Sequence, residues 1–363
     1  MFTYAFSGVL QAVLEGIKRY TALAKVLTVS KIAMVAFTVV GLLLFHNVNY
    51  PIIAWIMYYS ILILWSTKII GVRLFLGHST HYYSKVLRFS APLGIAAIIS
   101  VIGVSGDLIV VGGYTADLGV YNAAVTIASV LGSIIATPLN IALIPEISSS
   151  SHDNSQVFNG IRLAFRLLFL ILLPASLLIA ALSMQLLSLF SGGGPYLNGV
   201  GALELISITF LFQGIQISIY SVFLGLGKTT RALAITITMA LVDVGGSLFF
   251  VPNFGILGAA ISRSLMGLTG MVIAIYLARS YLGKLDSPRF YVKSLISGIV
   301  PYVIVSGLTF AFSSAAITVV PYSIAGFTFY LISIRAMKVL NEEDKSLLSY
   351  IIPSKFHKII RLF

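Results

Sequence analysis

The sequence predicts an all-α membrane protein that crosses the bilayer roughly ten times. Three observations carry this expectation. Of the 363 residues, 58% are apolar and 9% are charged; a soluble domain holds about 25% charged residues, so this chain cannot coat a globular surface. The mean hydropathy of +1.02 comes from long apolar runs between short polar or Gly/Pro breaks, and one helical crossing takes about 20 residues. Basic residues gather on alternate breaks, the pattern that sets orientation in a membrane.

The expected spans run over 1–14, 27–46, 50–71, 89–112, 118–144, 167–190, 201–226, 231–251, 256–278, 293–312 and 318–338. The first holds 14 residues, about 21 Å of helix against a hydrocarbon core of about 30 Å, and is too short to cross. The breaks have loop chemistry: His46-Asn47-Val48-Asn49-Tyr50-Pro51, the Ser-rich stretch Ser148 to Ser155, Ser191-Gly192-Gly193-Gly194-Pro195 and Pro252-Asn253-Phe254-Gly255. Pro174 lies inside the sixth span and should kink it, which membrane helices tolerate when neighbours satisfy the freed carbonyl.

Of the 23 Lys and Arg residues, 21 fall on alternate loops, from Lys18, Arg19 and Lys25 to the tail with Lys355, Lys358 and Arg361. The positive-inside rule then places the C-terminus in the cytoplasm. In a soluble chain the net charge of +12 would point to nucleic acid; here orientation accounts for it, and no nucleic-acid partner is expected. There is no cysteine, which excludes disulfides and thiolate metal sites. Met1 to Leu14 is apolar from its first residue, without the basic start or small-residue cleavage site of a secretory signal.

An internal repeat organises the chain. Lys18-Arg19-Tyr20-Thr21-Ala22-Leu23-Ala24 matches Lys228-Thr229-Thr230-Arg231-Ala232-Leu233-Ala234 at four of seven positions, and Leu14 with Leu224 and Thr28 with Thr238 keep the same offset of 210. That is about six spans, the unit of a parallel repeat in many transporters. Two lobes are expected, with the first lacking roughly 120 residues before Met1 if the repeat is complete.

Several stretches together resemble one family. Asp107-Leu108-Ile109-Val110-Val111-Gly112 and Leu118-Gly119-Val120-Tyr121-Asn122-Ala123-Ala124 look like the start of the second lobe in polysaccharide flippases of the MOP (multidrug/oligosaccharidyl-lipid/polysaccharide) superfamily. Leu143-Ile144-Pro145-Glu146-Ile147-Ser148 is similar to the end of that family's next helix, and Gly225-Leu226-Gly227-Lys228-Thr229 with Pro252-Asn253-Phe254-Gly255-Ile256-Leu257-Gly258-Ala259-Ala260 to a later helix pair. The tail Leu340-Asn341-Glu342-Glu343-Asp344, then Ile352-Pro353, resembles archaeal-type members. The resemblance implies a two-lobe bundle lacking the first three helices and part of the fourth. Its parts are an incomplete N-terminal lobe (1–75), a six-helix C-terminal lobe (85–280), two additional helices (290–338) and a cytoplasmic amphipathic tail (339–363).

It further implies a monomer in the cell membrane that flips a polyprenyl-diphosphate-linked oligosaccharide by alternating access, with no cofactor beyond a coupling Na⁺ or H⁺. The alternative within the superfamily is a cation-coupled multidrug exporter of the twelve-helix kind, disfavoured by the extra helix pair. A membrane sugar polymerase or glycosyltransferase would need carboxylates on long external loops. These loops are short and hold at most Asp117.

No catalytic site is assigned. Gly227-Lys228-Thr229 ends like a P-loop, but Val222 stands where the phosphate-wrapping glycine belongs. His78 and His81 lack a thiolate or carboxylate to complete a metal site, and His46, His152 and His357 stand alone. The informative residues are ionisable groups inside spans, because a charge at mid-bilayer costs about 2.5–3.5 kcal/mol or more and has a partner or a function. Asp107, Asp243 and Arg263 are candidates for substrate or ion coupling, at depths of roughly 7, 13 and 10 Å from the outer span ends. Asp243 and Arg263 lie on consecutive antiparallel helices joined by a tight turn, so a contact between them is sterically reasonable. Two carboxylates against one guanidinium leave a negative charge that Na⁺ or a proton would neutralise; related lipid II flippases are similar in placing a cation site among the corresponding helices. A structural Asp–Arg pair and a substrate-diphosphate contact by Arg263 stay open beside that reading. Lys31 is a cavity or interfacial charge, expected to snorkel to the near edge, and Glu204 an interfacial one.

Overall fold

In hydrocarbon every backbone N–H and C=O must be satisfied within its own segment, and helix does this. All elements among the described residues are helical. The structure, a computed structural model, describes residues 2–17, 19–47, 49–71, 83–131, 154–192, 194–279, 288–312 and 316–339. The His78 and His81 loop, the end of the fifth span with Pro145, Ser148, His152, Lys284 and the tail with His357 lie outside them. The chain divides into two compact units, Met1–Ser84 and Lys85–Phe363.

The first unit holds α1 (Phe2–Gly16), α2 (Tyr20–Phe45) and α3 (Asn49–Ile70), each packed on the other two. Helix α2 starts at Tyr20, seven residues before the apolar run at 27, because backbone hydrogen bonding continues past the point where hydropathy falls. It stops where His46 turns left-handed (φ 49°) and donates its N–H to the Leu42 carbonyl. The Asn47 side chain then accepts the Asn49 N–H at 2.9 Å and starts α3, an Asx turn. Across this connection the rings of Phe45 and Tyr50 stack with centroids 5.0 Å apart.

The second unit runs α4 (Tyr83–Tyr114), α5 (Leu118–Leu131), α6 (Asn154–Ala181), α7 (Ser183–Ser191), a 3₁₀ turn (Gly194–Gly199), α8 (Val200–Gly225), α9 (Thr229–Ala278), α10 (Pro288–Ala311), a second 3₁₀ turn (Ala316–Thr318) and α11 (Val319–Met337). Its core surrounds α8, which packs on α5, α6 and α9. Leu203, Ile206, Ile219 and Phe223 of α8 meet Leu168 and Leu172 of α6 and Tyr121 of α5, all fully or almost fully buried. The α10–α11 pair docks on α6 through Leu170, Phe290, Tyr330 and Ile334, where the Tyr330 hydroxyl donates to the Leu170 carbonyl.

Two spans depart from their simple form. The run 167–190 is not one rod: α6 passes through Pro174 as helix and meets α7 at a 73° bend, one residue after Ala181. Helix α9 covers the eighth and ninth spans and reverses at Gly255, whose φ of 57° and ψ of −135° suit glycine alone. On a straight helix Arg231 and Leu277 would stand about 69 Å apart. Instead the Arg231 guanidinium donates to the Leu277 carbonyl at 3.0 Å, so the two limbs of α9 run antiparallel. Among the described residues seven helices are long and apolar enough to cross a membrane, eight with the bent pair α6–α7 counted as one span, α9 being counted once. Large apolar side chains such as Leu43, Leu64, Ile109 and Phe249 are more than 60% exposed, as an outer surface facing lipid requires. The chain is an all-α, multi-pass membrane protein.

Candidate functional site

The three deep ionisable residues of the second unit converge. Asp107 on α4 and Asp243 on the first limb of α9 are 0% exposed, and Arg263 on the second limb is 5% exposed. Arg263 grips Asp107 with two bonds, Nε to Oδ2 at 2.6 Å and a terminal NH₂ to Oδ1 at 3.0 Å, the bidentate form that is strongest for a guanidinium and a carboxylate. The Tyr121 hydroxyl donates to Asp107 Oδ2 at 2.5 Å, and the Leu108 N–H donates to Oδ1 at 2.8 Å. Tyr121 reaches that oxygen because α4 and α5 form a hairpin about residues 115–117, and its long side chain spans the gap to Asp107 on the facing helix.

This corrects the expected partner of Arg263, which bonds Asp107 and not Asp243. The reason is azimuth. Where the limbs of α9 cross, Ser262 faces Asp243 and donates to its backbone carbonyl at 2.8 Å. The next residue, Arg263, is turned about 100° around the helix, away from the first limb and toward α4. Neither carboxylate oxygen of Asp243 accepts a hydrogen bond among the described residues, and the Ser247 hydroxyl one turn on is likewise without a partner. Gly106 brings α4 close here: a Cβ at that position would fall 2.7 Å from Val244 Cγ2 and 3.6 Å from Asp243 Oδ2. The cluster therefore holds two carboxylates and one guanidinium. Two of these charges are spent on each other.

Below the Asp107–Arg263 pair lies a cavity of about 650 Å³ between α4, α5, α8 and both limbs of α9. Arg263 lines it together with Ser100, Gln213, Gln216, Tyr220 and Thr236, a set of amide and hydroxyl groups in otherwise apolar helices. Water or a polar ligand there would reach the guanidinium directly.

The remaining candidates lie elsewhere. Glu204 is exposed in the first turns of α8 and accepts from the Ser183 hydroxyl of α7 at 3.3 Å, apart from the buried cluster. Lys31, in the first unit, does not reach back toward the Tyr20 end of α2. Its ammonium lies 4.5 Å from the Trp55 ring centroid and 5.3 Å from that of Tyr58, on the part of α3 nearer the α2–α3 connection. Such cation–π contacts are worth about 0.5–2 kcal/mol, less than the mid-bilayer cost of the charge. Tyr121, missed in the sequence, carried one available signal: it stands one turn past the Thr115 to Asp117 break, on the helix that folds back beside Asp107. Among the described residues no three of His, Cys, Asp and Glu converge to hold a metal.

Comparison with known proteins now bears on this geometry. A family model described as polysaccharide biosynthesis protein matches residues 1–193. No curated protein matches the chain. Among solved structures, the lipid II flippase MurJ in an inward closed conformation aligns with a TM-score of 0.72 at 15% identity, over 92% of this chain and 70% of that one. A MOP superfamily transporter from Pyrococcus furiosus aligns at 15% identity with a TM-score of 0.47, over 76% of this chain and 69% of that one. The first likeness establishes the fold, an all-α helical bundle. With more than half of its residues matched by the family model, the chain belongs to the polysaccharide biosynthesis protein family.

Proposed function

We propose that the chain moves a lipid-linked saccharide, of the polyprenyl-diphosphate oligosaccharide class, across the cell membrane by alternating access, with its C-terminus in the cytoplasm. The family, the fold shared with a lipid II flippase and a buried charge group inside apolar helices support this reading. The observation that carries the mechanism is Asp243: fully buried, its carboxylate accepting no hydrogen bond among the described residues. An ionised carboxylate left so would cost several kcal/mol. Intramembrane acids of this kind mark ion or proton paths. A proton or Na⁺ therefore neutralises Asp243 in this state and leaves it in the other, coupling the ion gradient to transport. With the orientation set by the basic loops, the 650 Å³ cavity opens that route from the cytoplasmic half.

The test is flipping of a polyprenyl-diphosphate oligosaccharide in proteoliposomes under imposed Na⁺ and pH gradients. Asp243→Asn, nearly isosteric, should fold and insert yet lower transport about tenfold or more and flatten its gradient dependence. The coupling reading fails if the wild-type chain transports at a rate indifferent to both gradients. Equal gradient dependence in wild type and Asp243→Asn would also refute the assignment.

A further inference from the structure

We infer that the cavity inside the second unit is a saccharide subsite, which takes an uncharged sugar ring of the lipid-linked saccharide and leaves its diphosphate outside. The inference rests on the function proposed above for the source of the sugar. One face of α8 carries it. Gln213, Gln216 and Tyr220 line the cavity, and at about 100° per residue they fall within about 60° of one another around the helix. The row starts one turn below Arg263. The Thr209 and Ser264 hydroxyls meet at 2.8 Å, and a Cβ on Gly267 would fall 3.6 Å from Gln213 Cγ, so α8 and the second limb of α9 descend side by side. From Gln213 to Tyr220 is about 11 Å along the axis.

Gln216 is 6% exposed, yet neither glutamine amide nor the Tyr220 hydroxyl has a hydrogen-bond partner among the described residues. The other hydroxyls of the cavity are satisfied within their own helices: Ser100 donates to the Ala97 carbonyl at 2.8 Å and Thr236 to that of Ala232 at 3.2 Å. An amide carries two donors and an acceptor, and left bare in a buried place it costs its full desolvation. Glutamines in membrane helices bond a neighbouring helix. Here two on one face of α8 turn to open space instead. All of the lining, from Leu93 to Met266, belongs to the second unit.

Charge selects the ligand. Among the described residues Arg263 is the one charged group lining the cavity, and the Asp107 carboxylate meets its guanidinium with two bonds. A diphosphate finds no uncompensated cation there, and a cationic drug finds no acid in the wall. An apolar ligand would strip the amides of water and return nothing. A pyranose answers both kinds of surface. Its hydroxyl edge donates to and accepts from amides and a phenol, and its C–H faces lie against Phe210, Met239 and Met266 of the same lining. The volume of about 650 Å³ falls among small-molecule sites, which run about 300–1,000 Å³. A sugar seated there displaces the water of the ion route proposed above, so the cavity admits ion and sugar in turn.

The chain has no native cysteine, so Ser100→Cys sets a single thiol in the cavity wall, and Thr236→Cys, made separately, sets one in the opposite wall. The full chain in nanodiscs is labelled with N-ethylmaleimide alone and in the presence of glucose, galactose, mannose or N-acetylglucosamine. Mannitol supplies hydroxyls without the ring, and farnesyl diphosphate supplies the diphosphate without the sugar. Both thiols should react. At least one of the four sugars should slow the labelling saturably, and mannitol and farnesyl diphosphate should not. Gln216→Leu removes an unpartnered amide and so keeps the fold; combined with either cysteine, it should weaken the protecting sugar about tenfold, the loss of one or two neutral hydrogen bonds. The inference is overturned if neither thiol reacts, if no sugar slows either one, if mannitol or farnesyl diphosphate protects as well as the sugars, or if Gln216→Leu is protected like the parent. Protection without transport of the saccharide lipid in proteoliposomes would instead sink the flippase reading, and transport without protection would sink the subsite alone.

Discussion

Arg263→Gln is the sharpest perturbation of the buried cluster. It removes two hydrogen bonds, of 2.6 and 3.0 Å, and leaves the fully buried Asp107 carboxylate with Tyr121 and the Leu108 N–H but no counter-charge. Removing one partner of a buried pair costs about 3–5 kcal/mol, most of it the stranded charge. Asp107→Asn strands the guanidinium and should cost a similar amount. The double variant Asp107→Asn with Arg263→Gln strands neither charge and should lie within about 1–2 kcal/mol of wild type, giving a coupling energy of about 4–9 kcal/mol. The comparison cycle replaces Asp107→Asn by Asp243→Asn, which relieves one repulsion but leaves Asp107 without its cation. It should recover less than half as much. Unfolding of the purified chain in one detergent, with folded yield as a second readout, measures both cycles. Rescue of Arg263→Gln by Asp243→Asn as complete as that by Asp107→Asn would refute the pairing, as would a coupling energy below about 0.5 kcal/mol.

Two further outcomes follow. Since the chain has no native thiol, impermeant maleimide applied to intact cells should label Asn253→Cys and spare Thr230→Cys; the reverse would invert the topology proposed from the basic loops. Gly255→Ala places a Cβ at φ 57°, ψ −135° and should lower stability by about 1–3 kcal/mol, read as a fall in melting temperature. A neutral result would mean that α9 does not turn there as described.

What was legible in the sequence follows from what each signal measures. Gly and Pro chemistry marks places where backbone must leave the helix, so Pro252 to Gly255 announced the reversal of α9. The bend after Ala181 had no such marker. Leu182 and its neighbours are apolar, and the kink expected at Pro174 does not end α6. Hydropathy measures where lipid begins and not where hydrogen bonding stops, which is why α2 starts at Tyr20. Counting residues along each span placed Asp107, Asp243 and Arg263 inside helices, where the structure buries them. The pairing was not legible, because it depends on rotation about the helix axis and on the offset between the limbs of α9. Counting placed Arg263 near both acids; the bond from Ser262 to the Asp243 carbonyl fixes the rotation that sends Arg263 to Asp107. Tyr121 was passed over because a tyrosine in an apolar run reads as packing until a carboxylate is found within its reach.

The rotation also divides the labour within the cluster under the coupling proposed here. A guanidinium stays protonated at any ordinary pH, so Arg263 cannot be the group whose state changes during transport. Asp107 is held by Arg263, Tyr121 and its neighbouring N–H. Releasing it would strand a buried guanidinium. Asp243 has no hydrogen bond to break among the described residues. A proton or a cation can come and go there without dismantling the pair beside it. Had Arg263 been turned one residue earlier, it would have filled that place itself. The helical step of about 100° between Ser262 and Arg263 is thus the difference between an inert ion pair and an acid left to titrate.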